Sequence, residues 1–595
     1  MQSTMNGAIV RGREVEFRVW VPAAQKVVLR LMRAGRCDAE DISMRRLGSA
    51  DFGLPDLSEL VDMDTWALTG IDARPGDRYF YMVNDQKPVP DPVSRLLPEG
   101  VHGPTEIVEP GTFRWTDHDW RGRELRDYVI YELHIGTFTS EGTFDTAIEK
   151  LSYLKQLGVS IIEVMPVNAF PGKRNWGYDG VGLYAVQASY GGPDAFKRFV
   201  DAAHREGLGV MLDVVYNHLG NEGNYLRMFG PYFTAKHQTP WGEAVNYDDD
   251  GCEGVRRFIV DNALYWIREY HLDGLRLDAV QTIKDDSPLH ITAEIQQNVQ
   301  ALARELGRIV CVTVETDEND SRYVLPAEKG GYGLDAVWSD DFHHALHAYL
   351  TGEREGYYQD FGNKKQIARA LNEGFVFQGE FFHYWSDVRG TSAVGIPLPK
   401  HIISIQNHDQ VGNRARGERL NHLVPRGARK LAAALLLLAP QTPLLFMGQE
   451  YDEPSPFQFF TDFGDPNLQQ AVSEGRRKEF KAFKWDDVPD PQDASTFERS
   501  RLHWDLATDE NDMLRWYRQL LALRRRHIAH GERTCAAEFR EDELVMQVPR
   551  DEPKILVVAR FRGEANYDPG KCWRQAFASD EDGYAVRVFQ RLRSC

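Results

Sequence analysis

Four stretches of this chain end in residues suited to acid–base or nucleophilic chemistry. DVVYNH occupies 213–218, GLRLDAV 274–280, VETD 314–317 and QNHDQ 406–410. Each belongs to a short run rich in Val, Ile or Leu, as buried parallel strands are. Arg276 and Asp278 stand two residues apart. On a strand this puts both side chains on one face and Leu275 and Leu277 on the other. An adjacent guanidinium favours the ionised carboxylate, and an ionised, oriented carboxylate is what a nucleophile requires. Glu315 has no basic neighbour in sequence. Behind a hydrophobic wall its pKa rises and it can donate a proton. Two carboxyl groups in contrasting environments are what breaking a glycosidic bond needs. Asp409, preceded by His408, offers a third carboxylate for sugar hydroxyls, and His218 a further polar contact. Tyr178, in NWGYD (175–179), offers an aromatic face for a pyranose. Singly, such an Asp is a helix cap or ion-pair partner and NHD is a turn. Their joint occurrence at the ends of runs three, four, five and seven points to one site.

The elements that must position these groups begin near residue 127. VIYELHI (129–135), IIEVMPV (161–167), GVMLDVVY (209–216), DGLRLDAV (273–280), IVCVTVE (309–315), DAVWSD (335–340), HIISIQN (401–407) and PLLFMGQE (443–450) alternate with helical stretches. The helical stretches include 144–158, 194–207, 255–270 and 428–439. Eight strands over this length predict an α/β fold, a (β/α)8 TIM barrel whose reactive groups gather at the C-terminal strand ends. A doubly wound sheet is the alternative, weakened because no GxGxxG or GxxxxGK[ST] follows a strand. Residues 1–110 alternate as short strands broken by Gly and Pro, which predicts a small β-sandwich. The Pro-rich stretch 89–111 has the composition of a linker. The barrel is expected over 111–529, closing with a helix at 511–527, and a small β domain over 530–595.

The 595 residues carry 70 Lys plus Arg and 89 Asp plus Glu, a net charge of −19. That balance argues against nucleic acid and against anionic membranes as partners. A neutral ligand suits it, and 13 Trp with 24 Tyr suit flat ligands as well as a large core. The six cysteines are widely spaced with no CxxC, so scattered reduced thiols are expected rather than a zinc site or disulfide framework. The first 20 residues have no apolar h-region. The longest apolar stretch, LAAALLLLA at 431–439, is far short of the ~20 residues of a membrane span. A cytoplasmic location is expected.

Together the four motifs, in this order, resemble those of the α-amylase superfamily of glycoside hydrolases and transferases. Within it, five longer segments resemble the maltooligosyltrehalose trehalohydrolase family: DPVSRLLPEGVHGP (91–104), YELHIGTFT (131–139), FPGKRNWGYDGV (170–181), TGEREGYYQDFG (351–362) and QNHDQVGNR (406–414). The resemblance implies an immunoglobulin-like N-terminal sandwich and a retaining mechanism. It matches Asp278 to the nucleophile, Glu315 to the general acid/base and Asp409 to the carboxylate that stabilises the transition state. Arg276, His218 and His408 match residues around the −1 sugar, and Tyr178 the tyrosine stacked on it. The substrate implied is an α-1,4-glucan oligosaccharide with a trehalose end. No cofactor is implied. Asn217 matches a calcium ligand of related amylases, but the other ligands are not recognisable and no metal is expected. A branching enzyme is the competing reading, disfavoured because such enzymes usually carry a SHDE-type sequence where QNHDQ stands. A non-catalytic sugar-binding protein would have lost a carboxylate. The loops at 219–253 and 339–362, with Trp241 and residues 341–344, are candidates for recognising the trehalose end. A monomer or small homo-oligomer is expected.

Overall fold

A computed structural model describes residues 6–47, 64–480, 488–564 and 566–592. Eight parallel strands close on themselves: β1 (Ile130–Leu133), β2 (Ile161–Val164), β3 (Gly209–Val214), β4 (Gly274–Leu277), β5 (Cys311–Val314), β6 (Ala336–Trp338), β7 (His401–Ser404) and β8 (Thr442–Phe446). The first seven lie within the expected runs, and the eighth starts one residue before its run, at Thr442. Pairing of β8 with β1, Leu444 against Ile130, excludes the open doubly wound sheet. Strand alternation divides the side chains as the period of two requires. Ile130, Ile161, Met211, Cys311, Ala336, Trp338, Ile402 and Leu444 form an apolar plug in the barrel. Leu275 and Leu277 join the core that includes the surrounding helices. Two residues beyond the plug, the same inward faces of β1, β2 and β3 carry Glu132, Glu163 and Asp213, all buried. Gly274 opens β4 where a Cβ would stand 2.6 Å from the Cys311 carbonyl oxygen, so only glycine lets the strands approach there.

The expected helix 144–158 is broken into Phe144–Ile148 and Leu151–Leu157. Glu149 and Lys150 bond back three residues, to Thr146 and Ala147, which tightens the turn and ends the first helix. The remaining expected helices form as Gly192–Glu206, Cys252–Glu269, Arg426–Leu438 and Asp512–His527.

The N-terminal β region is a pair of four-stranded antiparallel sheets. Phe17 of one meets Tyr79 of the other edge to face, 5.0 Å between ring centres. The Pro-rich stretch is not a free linker. Val89 pairs with Tyr81, buried Asp91 accepts from the Tyr79 hydroxyl at 2.6 Å, and Thr105–Glu106 adds to strand Arg78–Val83. Trp20 docks this sandwich on the barrel, against Tyr232 and against Gly254 in helix Cys252–Glu269.

At the other end a five-stranded antiparallel sheet, Ala536–Arg540 to Tyr584–Arg591, covers helix Arg426–Leu438. Eleven of that helix's 13 residues are buried, so neither face is solvated. Lys430 and Arg426 pair with Glu581 at 2.6 and 2.9 Å.

The expectation of reduced thiols is corrected at one position. Cys37, Cys252, Cys311 and Cys535 are free, but Cys572 is in a disulfide, which the wide and irregular spacing of the cysteines does not announce. Cys595, like residues 1–5 of the N-terminal stretch, lies outside the described residues. Among the described residues no helix is long and apolar enough to cross a membrane.

Candidate active site

The polar ends of β3, β4, β5 and β7 meet at one rim, with Arg276 at their centre. Its side chain is fully buried, over the Trp338 ring at 4.4 Å. Nη1 donates to both oxygens of Asp213, at 2.9 and 2.8 Å, and to Asp278 Oδ1 at 2.8 Å. Nη2 has no hydrogen-bond partner and lies 3.6 Å from Glu315 Oε2. A single guanidinium fork therefore spans Asp278 and Glu315. Asn217 also donates to Asp278, from Nδ2 to Oδ2 at 2.7 Å. The amide nitrogen of the residue matched to a calcium ligand is thus turned to the carboxylate.

The backbone after Asp278 completes the arrangement. Ala279 has φ +40°, a left-handed conformation unfavourable for a residue with a Cβ. It aims the Ala279 N–H at Glu315 Oε2, 2.6 Å away. Burial pushes Glu315 well above the usual carboxylate range, with Asp278, Asp409 and Asp340 adding to the rise and Arg276 opposing it. The cause differs from the expected hydrophobic wall alone, because a basic group distant in sequence is a neighbour in space.

Asp409 opens helix His408–Gly412, but Asn407 caps it, accepting from Gln410 N–H. Asp409 is thereby spared the capping role and remains 37 % exposed, against 11 % for Asp278 and 12 % for Glu315. His408 stacks on Tyr178 with 5.2 Å between ring centres, and its Nε2 meets the Tyr178 hydroxyl at 2.7 Å. Tyr178 in turn donates to Asp213 at 2.7 Å. His408 Nδ1 bonds Glu132. Burial disfavours its charge, yet Asp409 and Glu132 hold the imidazole up to about 9. His218 has the opposite outcome: burial lowers it despite Asp278. Its ring bonds Asn217 and stacks on Trp241, 4.1 Å between centres at 6°.

All seven sequence-derived positions are therefore brought together in one network of contacts at the strand ends. Three further acids belong with them. Asp213 is pushed up to about 6 by burial, Asp278 contributing and Arg276 opposing. Asp340, after β6, is pushed up to about 7 by burial and Asp409. Glu132 anchors His408 through two contacts. The signal for Glu132 was present: a carboxylate inside an apolar run, at the parity of the barrel interior. Residues 341–344 are buried packing. Asp341 accepts from Asn319, Val376 and Phe377 and pairs with Arg389. Trp241, by contrast, is 46 % exposed.

A family model described as alpha amylase, catalytic domain, matches residues 108–239. A malto-oligosyltrehalose trehalohydrolase of Saccharolobus solfataricus is 47 % identical over 513 residues, 86 % of this chain and 85 % of that protein. Another from Mycobacterium tuberculosis is 42 % identical over 560 residues, 92 % and 91 % of the two chains. A branching enzyme of Oceanobacillus iheyensis is 28 % identical over 57 % of each chain. A crystal structure from Salmonella typhimurium, described as a candidate alpha amylase, superposes with TM-score 0.88 at 39 % identity, covering 99 % of this chain and all of that one.

Proposed function

Because the chain belongs to the malto-oligosyltrehalose trehalohydrolase family, we propose that its cleft hydrolyses the α-1,4 bond next to the terminal trehalose of a maltooligosyltrehalose, with retention. Asp278 attacks the anomeric carbon of the glucose in the −1 position. Glu315 gives its proton to the bridging oxygen, and trehalose leaves. The maltooligosaccharide is then held as a β-glycosyl ester on Asp278. Glu315, now a carboxylate, takes a proton from water, whose oxygen displaces Asp278 and releases the α-anomer. Asp409 holds hydroxyls of the distorted sugar, assisted by His408 and His218, and Tyr178 stacks on the ring. Exposed Trp241, fixed against His218, is our candidate platform for the trehalose end. We assign the catalytic unit to 111–529, with 1–110 and 530–595 as accessory β domains.

The observation that carries this reading is the single Arg276 fork reaching both carboxyls, one hydrogen-bonded to it at 2.8 Å and the other, raised by burial, 3.6 Å away. The test is product analysis on a defined maltooligosyltrehalose, recording the anomer at once. Free trehalose with an α-maltooligosaccharide is expected. New α-1,6 branches without trehalose would select the branching reaction, and direct appearance of the β-anomer would remove the covalent intermediate.

A further inference from the structure

Asp409 is the most exposed of the three carboxylates, yet one of its oxygens is held. Asn413, which closes helix His408–Gly412, donates from Nδ2 to Asp409 Oδ1 at 3.1 Å. His408 Nε2 lies 3.4 Å from the same oxygen. Both contacts fall on Oδ1, so among the described residues Oδ2 is the oxygen left for a ligand. An asparagine amide carries an acceptor at one end and donors at the other. Turned over, it would set its own oxygen against the carboxylate and repel it.

Arg476 removes that choice. It stands in helix Pro466–Glu479, 63 positions beyond Asn413 in sequence. Its Nη1 donates to Asn413 Oδ1 at 3.0 Å, and its Nη2 donates to the Gly412 carbonyl at 2.9 Å. A guanidinium only donates, and an ionised carboxylate only accepts. An amide between the two has one orientation, oxygen to Arg476 and nitrogen to Asp409. The fork is itself fixed by aromatic faces, its central carbon 4.5 Å from the centre of the Phe459 ring and 4.7 Å from that of Phe480. Phe459 meets Trp176 edge to face with 5.0 Å between centres, and Trp176 meets His408 in the same way at 5.6 Å. The Arg476 side chain is largely buried; at its outer side Nη1 also meets the half-exposed Glu479, at 3.0 Å.

We propose that Arg476 is a positioning residue for the transition state, setting the direction of the Asp409 carboxylate through Asn413. The proposal rests on the role given to Asp409 above. Contacts from Asp409 to sugar hydroxyls tighten as the −1 ring distorts. Misdirecting the carboxylate therefore removes an interaction made chiefly in the transition state, which lowers kcat and leaves KM nearly unchanged. A side chain that only anchored helix Pro466–Glu479 would change the melting temperature without that split.

The full-length protein and its variants are assayed on a maltooligosyltrehalose and on α-maltosyl fluoride, with melting followed by calorimetry. Arg476→Met should lower kcat by about 10- to 10²-fold on both substrates, the scale of a ~1 Å misplacement, with KM within about twofold. Arg476→Lys should not restore it, because an ammonium cannot reproduce the planar fork. Asn413→Ala should show the same loss and gives an independent reading if Arg476→Met does not fold. The double variant should be no slower than Asn413→Ala alone, since both act on one carboxylate. Glu479→Gln, which breaks only the outer contact, should turn over as wild type does. Wild-type kcat in a folded Arg476→Met or in Asn413→Ala, full recovery in Arg476→Lys, or losses that multiply in the double variant would overturn the proposal. A wild-type protein that hydrolyses the fluoride but releases no trehalose would instead remove the trehalohydrolase reading, while the fluoride rates still decide the role of Arg476.

Discussion

Asp278 is held by two donors from neighbouring strand ends, Arg276 Nη1 and Asn217 Nδ2, which fix one oxygen each and limit how the carboxylate can turn. Replacing it with Asn keeps the hydrogen-bonding volume and removes the proposed nucleophile. We expect Asp278→Asn to lower kcat by about 10⁴-fold or more on maltooligosyltrehalose. Turnover near wild type would end its assignment. In the proposed mechanism Glu315 carries a proton when the bond breaks, and its raised pKa is suited to supply one. As pH rises through that pKa the proton is lost, so on this assignment Glu315 should set the alkaline limb of the rate profile. Glu315→Gln should lose about 10²- to 10⁴-fold on the natural substrate. With a glycosyl fluoride, whose leaving group needs no proton, the first step should survive. Water attack then lacks its base, and a glycosyl adduct on Asp278 should accumulate, visible as an intact-mass increase. Equal losses on both substrates, with no adduct, would exclude the acid role.

The strands enter this chemistry as carriers of register. β1 and β7 are joined across the barrel mouth by Glu132 and His408, through the His408 backbone N–H at 2.9 Å and through its ring. His408 has a folded-state pKa of about 9 against 6.5 for the free side chain. A base raised in this way adds stability in full below 6.5 and loses it as pH climbs through 9. The window is worth about 3 kcal/mol at most. Thermal melts from pH 6 to 10 should show that decline, and Glu132→Gln should flatten it. Parallel curves for the two proteins would remove Glu132 as its source. This strand-level order was legible in the sequence because β-period alternation and polar run ends are local properties. Asp278, Glu315 and Asp409 could be found from them. Two features could not. The Arg276–Glu315 approach joins residues 39 positions apart, and nothing near Glu315 in sequence announces a cation. The break at Glu149–Lys150 depends on a choice between three- and four-residue hydrogen bonds that the apolar pattern does not encode.

At the scale of the whole molecule, the sandwich and the barrel are joined through a contact with no slack. A Cβ on Gly254 would stand 2.1 Å from Trp20 Cζ2 and 2.4 Å from Cε2. Gly254→Ala should therefore force the sandwich outward and cost about 1–3 kcal/mol. Differential scanning calorimetry, with Trp fluorescence to follow exposure, reads it. An unshifted transition would mean the two parts are not held together there. The C-terminal sheet has a different relation to the barrel, set by helix Arg426–Leu438. That helix is apolar from Leu431 to Leu438, and strand Tyr584–Arg591 belongs to the sheet that covers it. Between Leu438 and Tyr584 lie 583 − 438 = 145 residues. At about 5–20 residues per second, a ribosome needs roughly 7 to 30 s to add them. For that interval every nascent copy presents an uncovered greasy rod to its surroundings, which makes the growing polypeptide a natural client for chaperones and makes late nonsense codons prone to yield inclusion bodies rather than shortened enzyme.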